Sequence, residues 1–573
     1  NLGAAKSTFR WTAGRTRSSA TKSCMPSSGR PGAVAVGAGA LLIVTATYWN
    51  GDALGHWVSE DSLNARLGKT AAGERCIVHL PRETQAEDAA RLLDDCEFHV
   101  ERVRRLAGLQ SNEPIVAYVF RNQHEKKELI GVGRTLVAKP WRREVYIQMD
   151  RWPHPVLGHE VVHAVLGEAG RGPFAVAATL GGLIPNPGIV EGAAVALAWD
   201  LRDDLDPDQW ARIMRDRGEL PEAKTLMSVK FSGLPARRAY MASGSLIRFL
   251  MASRGMDSFI GAYAEGRIGD LEALETEWHG YLDTVEVSEH ERGVAEVALA
   301  RSSIFTSVCP HALAKLRADL SGDAAARDDA RMLETCRAIL DIDEGEAQAR
   351  AALIGALARS GDTEGALREL AGLREAVSAP KPVVASALEA YADASWTLDR
   401  HAEAAALYEE LLALPRTDGP ARQAEVKLLA LSGSDSEREL IYQMLIDRAP
   451  SAVVVHLAEE LGEARSDGLG PYLEARQLLG QRRYALALPL LWEAAQRGLP
   501  SARLERELER LHGVTLFALK RYAESAEVWK ARTGISRASD AESGRWLERI
   551  EYAERGTLNP KLPGPWSAHP AAP

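Results

Sequence analysis

The sequence predicts two folded parts of different class, an α+β domain over residues 74–290 and an all-α solenoid of helical hairpins over 305–555, with one apolar helix at 32–49 ahead of both. Three observations predict it. Between residues 74 and 150, short runs rich in β-branched and aromatic residues flank a segment of helical periodicity. From Val156 onward the periodicity is helical, the order of an α+β domain. Past about residue 305 the strand signals vanish, and Ala, Leu, Glu and Arg dominate to residue 555.

The 18 positions from Gly32 to Trp49 carry no charge, about the length a tilted helix needs to cross a bilayer. Lys6, Arg10, Arg15, Arg17, Lys22 and Arg30 precede them without an acidic residue, whereas Asp52, Glu60 and Asp61 follow. That imbalance puts residues 1–31, a basic and disordered segment, in the cytoplasm, and everything beyond about residue 50 across the membrane. As a retained anchor the segment tethers the chain to the membrane. As a signal peptide, cut near Val44-Thr45-Ala46, it leaves the chain secreted. Both readings export the remainder, where Cys76, Cys96, Cys309 and Cys336 form two local pairs that are either disulfides or buried thiols.

Cys76–Leu80, Pro114–Phe120 and Glu144–Met149 read as strands. Between the first two, Ala89, Leu92, Leu93, Val100, Val103 and Leu106 recur at helical spacing. Pro153 and Pro155 end the extended run before the next helix. In the carboxy-terminal part, helix starts that resemble one another occur at Asp362–Ala366, His401–Ala405, Tyr484–Ala487 and Tyr522–Ala526. They lie about 38 to 40 residues apart, with a double step between the second and third, as in a stacked repeat array. These segments resemble tetratricopeptide repeats, although their period exceeds the usual one. Concave arrays of this kind bind peptides or partner helices, so a protein partner is expected here. The proline-rich end, 556–573, is expected to be a disordered tail. A chain of 573 residues with a net charge of -10 and no concentrated basic face gives no reason to expect a nucleic-acid partner.

His159-Glu160-Val161-Val162-His163 carries the chemistry. On a helix, positions four apart share a face, so both imidazoles reach one ion and Glu160 projects beside them. Imidazole nitrogens suit Zn2+, and the neighbouring carboxylate stands where it can take a proton from water. A zinc site of this type needs a third protein ligand. Between Arg171 and Asp200 the only charged residue is Glu191, in the apolar stretch Gly188–Leu197. A carboxylate there is costly to bury unless it meets a cation, which makes Glu191 the expected third ligand. The competing reading is an exposed glutamate at a helix start, favoured by its own helix dipole.

Together with Ile189-Val190-Glu191-Gly192-Ala193-Ala194 and Ala239-Tyr240-Met241-Ala242-Ser243-Gly244-Ser245-Leu246, the motif resembles the gluzincin metallopeptidases, in particular the peptidase-MA-like group. Leu274–Leu282 is similar to the element that closes the domain in those proteins. The resemblance implies a zincin-type fold and a hydrolase cleaving peptide or protein substrates with zinc. It implies His159, His163 and Glu191 as ligands, Glu160 as general base and Tyr240 as the hydrogen-bond donor to the oxyanion. One departure stands out: the family's ligand helix usually carries a Trp just ahead of its Glu, where Ile189-Val190 stands here. Arg237 and Arg238 are candidates for a substrate carboxylate, Glu168 and Asp200 for orienting the histidines, and His154 is read as a loop residue. The alternative is an exported repeat scaffold whose zinc domain is catalytically silent.

Overall fold

Runs rich in Val, Ile and Tyr and poor in charge can be buried on both faces, so they form the middle of a sheet. The computed structural model describes residues 60–557, apart from 134–136, 200–204, 300–315 and shorter stretches at 318, 325–327, 343–345, 376–380, 416 and 448. Its five-stranded sheet comprises β1 (Gly68–Ala72), β2 (Cys76–Pro81), β3 (Ile115–Phe120), β4 (Val137–Lys139) and β5 (Glu144–Gln148), in the spatial order β1-β2-β3-β5-β4. β2, β3 and β5 are parallel, and β1 and β4 close the two edges antiparallel. The three expected strands are its three parallel members. The edge beside β5 is the three-residue β4.

Helix α1 (Ala86–Ala107) connects β2 to β3 and buries Leu92, Cys96, Val100 and Val103 against the sheet. A disulfide joins Cys76 of β2 to Cys96 of α1, while Cys336 is a buried free thiol and Cys309 lies outside the described residues. Helices α2 (Leu157–Leu166), α3 (Pro187–Ala198) and α4 (Ala236–Arg254) extend the same apolar core, which runs from Cys76 to Leu299. A small hairpin of β6 (Ala178–Thr179) and β7 (Ile184–Pro185) precedes α3.

From Asp329 to Arg555 the described elements are helices, with one π-helical turn at Tyr442–Ile446. The chain is therefore largely helical, with a small mixed sheet. The expected helix starts fall at Thr363, His401, Tyr484 and Tyr522. Two residues ahead of each stands a left-handed residue, Gly361, Asp399, Arg482 or Lys520, with φ of 87°, 59°, 62° and 61°. At all four turns the next backbone N–H donates to the carbonyl five residues back: Asp362 to Leu357, Arg400 to Ser395, Arg483 to Leu478 and Arg521 to Leu516. Four sequences thus make one turn.

The last helix, α5 (Arg537–Arg555), packs on the sheet-bearing part. Trp152, just ahead of α2, lies against Tyr484, Phe517 and Trp546 with ring centroids 5.9 to 6.2 Å apart. Arg482 pairs with Asp88 of α1 at 2.6 Å. Residues 1–31, the apolar run 32–49 and the tail from 558 lie outside the described residues. Among the described residues, no helix is long and apolar enough to cross a membrane.

Candidate metal centre

Helix α2 is apolar almost throughout, and Leu157, Val161, Val162, Ala164, Val165 and Leu166 are fully buried. Its first turn has no cap from Val156, the residue in the capping position. His154 supplies one instead. The Nδ1 of His154 accepts from the backbone N–H of Val156 (3.3 Å) and Leu157 (3.1 Å), and its Nε2 lies 2.8 Å from the Gln148 carbonyl. These partners define a neutral imidazole with its proton on Nε2. Orphan helix N–H groups are thereby satisfied, as an Asn or Ser cap would satisfy them. Next to the cap, α2 crosses α1 so closely that a Cβ at Gly158 would lie 2.5 Å from the His99 ring.

Helix α3 begins at Pro187 behind Asn186, whose side-chain oxygen accepts from Ile189 N and whose amide donates to the carbonyls of Met227 and Gly266. It packs against α4 at Gly192, where a Cβ would sit 2.9 Å from the Ser243 carbonyl oxygen. That close approach brings Tyr240, on the first turns of α4, beside the carboxylate of Glu191. Glu191 is the fifth residue of α3, so the helix-start reading fails on position.

The side chains of His159, His163 and Glu191 converge. Glu191 Oε2 lies 3.3 Å from His159 Nε2 and 3.4 Å from His163 Nε2, and all three donor atoms fall within 4.8 Å of one another. Among the described residues this is the one group of His, Cys, Asp and Glu side chains placed to hold a metal. Zn–N and Zn–O bonds of roughly 2.0 to 2.1 Å at tetrahedral angles require ligand atoms about 3.3 to 3.4 Å apart. The two separations match that edge length, so the residues fit zinc without rearrangement of the carboxylate against either ring.

Electrostatics follow from this cluster. Burial opposes the charge on Glu191, but hydrogen bonds from both imidazoles outweigh it and hold the carboxyl well below the usual range. Burial also disfavours a charged His163, yet its bond to Glu191 and the nearby charges of Glu191 and Glu160 raise its pKa overall. For Tyr240, burial, the charge of Glu191 and a hydrogen bond to that carboxylate all raise the phenol pKa. The phenol keeps its proton at neutral pH.

In the metal-free chain the Glu191 contribution to stability is present above the unfolded carboxylate value of about 4.3 and is lost as the pH falls from there to its depressed value. The His163 contribution is present below about 6.5 and lost as the pH rises through its raised value. A metal takes neutral imidazole, so zinc uptake near neutral pH is expected to release a proton from His163, and apparent affinity to fall as the pH is lowered. Titration in weakly buffered solution checks this; uptake without proton release at any pH from about 6 to 7 would contradict it.

The cluster lines a cleft of about 740 Å³. Apart from His159, Glu160, His163, Glu191 and Tyr240, every lining residue is apolar, including Val137 and Ala138 of β4, Trp141, Phe174 and Val190. Val190, just ahead of Glu191, is thus an aliphatic part of the cleft wall. Other candidates lie elsewhere. Arg237 stacks on Trp210 at 4.9 Å, Arg238 pairs with Glu219 at 2.8 Å, and Glu168 pairs with Arg104 at 2.9 Å instead of orienting a histidine. Asp200 lies outside the described residues. Sequence reading missed the cap of His154, because Pro155 separates it from the helix pattern; its only signal was proximity to the motif. No protein-family model, curated protein or solved structure matches the chain.

Proposed function

We propose that this chain is a zinc-dependent peptidase of gluzincin type, in which a zincin-like α+β domain carries a tetratricopeptide-like array. The observation that carries the proposal is the convergence of two imidazole nitrogens and one carboxylate oxygen inside a cleft, with both nitrogen–oxygen separations at the edge length of a zinc tetrahedron. His159, His163 and Glu191 would hold the ion, which supplies a Lewis acid for the scissile carbonyl and a lowered pKa for water.

The chain's own groups do the rest. Glu160, 5% exposed and on the cleft wall, accepts a proton from the attacking water and later delivers it to the leaving amine. Tyr240 retains its proton and donates a hydrogen bond to the oxygen on which charge develops. An extended peptide adds to β4, the sheet edge that lines the cleft, through main-chain hydrogen bonds. Apolar walls suit apolar side chains flanking the cleaved bond. Export past a membrane, by an anchor or a signal at 32–49, is supported by the Cys76–Cys96 disulfide.

The deciding experiment measures zinc per chain together with cleavage of an unbiased peptide library. One zinc per chain and chelator-sensitive cleavage are expected. Stoichiometric zinc without cleavage would favour a silent scaffold, and absence of zinc would overturn the metal assignment itself.

A further inference from the structure

The residues that position the metal ligands are themselves held from the far end of the chain. Arg549, on α5, pairs with Asp95 of α1 and places a second guanidinium nitrogen 3.1 Å from His99 Nε2. The other oxygen of Asp95 accepts from the backbone N–H of His154 at 3.0 Å. His154 is the cap on the first turn of α2, the helix that begins two residues ahead of His159, and His99 is the ring against which Gly158 sits. An unbroken series of buried polar contacts therefore runs from the last helix to the start of the metal helix.

The same helix reaches the other two elements of the site. Leu197, next to the last residue of α3, has its carbonyl bonded by Arg102 at 2.8 Å and by Arg545 at 3.4 Å, and Arg102 is paired with Glu548 at 2.7 Å. Arg537 pairs with Asp206 at 2.8 Å and reaches Asp208, which accepts from Ser245 and pairs with Arg248, both on α4. One helix, more than 280 residues further along the sequence, thus contacts or braces α2, α3 and α4, the carriers of His159, Glu191 and Tyr240.

We propose that α5 is a positioning element of the metal centre, with Arg549 acting through Asp95 and His154, so that docking of the helical array and metal binding are thermodynamically linked. The inference rests on reading His159, His163 and Glu191 as metal ligands. Its physical basis is that removing Arg549 leaves the Asp95 carboxylate buried without its cation; the network then reorganises and releases the His154 cap. Outer partners of metal ligands commonly contribute roughly 10- to 100-fold to affinity. Linkage is reciprocal, so zinc must in turn tighten the docking of α5.

The test uses the full chain. Zinc affinity, read by competition with a chelator of known affinity, is expected to fall roughly 10- to 100-fold in Arg549→Ala and to recover in part in Arg549→Lys, which restores a cation to Asp95. Because the alanine variant can lose its fold, amide hydrogen exchange of the unaltered protein is measured with and without zinc. Slower exchange across 537–555 with zinc is expected. Wild-type zinc affinity in a folded Arg549→Ala, or exchange at α5 indifferent to zinc, overturns the inference while leaving the metal site intact. Failure of the unaltered chain to bind zinc overturns the underlying reading and this inference together.

Discussion

Glu160→Gln is expected to lower turnover by roughly 10²- to 10⁴-fold while zinc per chain stays at the wild-type level. The substitution keeps the size of the side chain and removes its charge, and with it the ability to hold a transferred proton. Glu160 is buried on the cleft wall, and its charge raises the proton affinity of both His163 and Tyr240, so it acts on the groups around the proposed metal site without being one of the three converging donors. Parallel metal analysis and steady-state kinetics separate the two roles. Full activity in the variant removes the general-base assignment, and a loss of zinc matching the loss of turnover would turn Glu160 into a structural residue.

The second large effect belongs to Glu191. In Glu191→Ala, zinc affinity is expected to drop by more than the roughly 100-fold that outer partners contribute, since only two of the three protein ligands of a zinc site remain. The helix itself is expected to survive. Glu191 is the only charged residue between Pro187 and Ala198, alanine is the best helix former, and the packing of Gly192 on α4 is untouched. Added zinc then raises the melting temperature of the wild type and not of the variant, because only a ligand that binds the folded state stabilises it. Stoichiometric metal in the folded variant refutes the ligand assignment.

Much of this was legible because its signals are local. Val, Ile and Tyr runs mark β2, β3 and β5, a turn-long spacing of histidines marks α2, and one carboxylate in an otherwise uncharged helix marks Glu191. β4 escaped because three residues carry no periodicity. The pairs Arg549–Asp95 and Arg537–Asp206 escaped for a different reason. Each joins ordinary charged residues, on helices or capping one, more than 300 positions apart, where either partner alone reads as solvated. These contacts bear on truncation: deleting 305–573 removes Arg537, Arg545 and Arg549 from beside α2, α3 and α4 as well as any peptide-binding surface.

Cys96 immediately follows Asp95, and its bond to Cys76 fastens that stretch of α1 to the sheet. Closing a loop of this length removes unfolded-state freedom worth about 3 kcal/mol. The carboxylate that answers to Arg549 is thus presented from a covalently fixed base. Production in a thiol-reducing cytosol would leave that base unsecured, so a recombinant chain made there is expected to be a weaker metal binder than one oxidised before purification, even with every ligand in place.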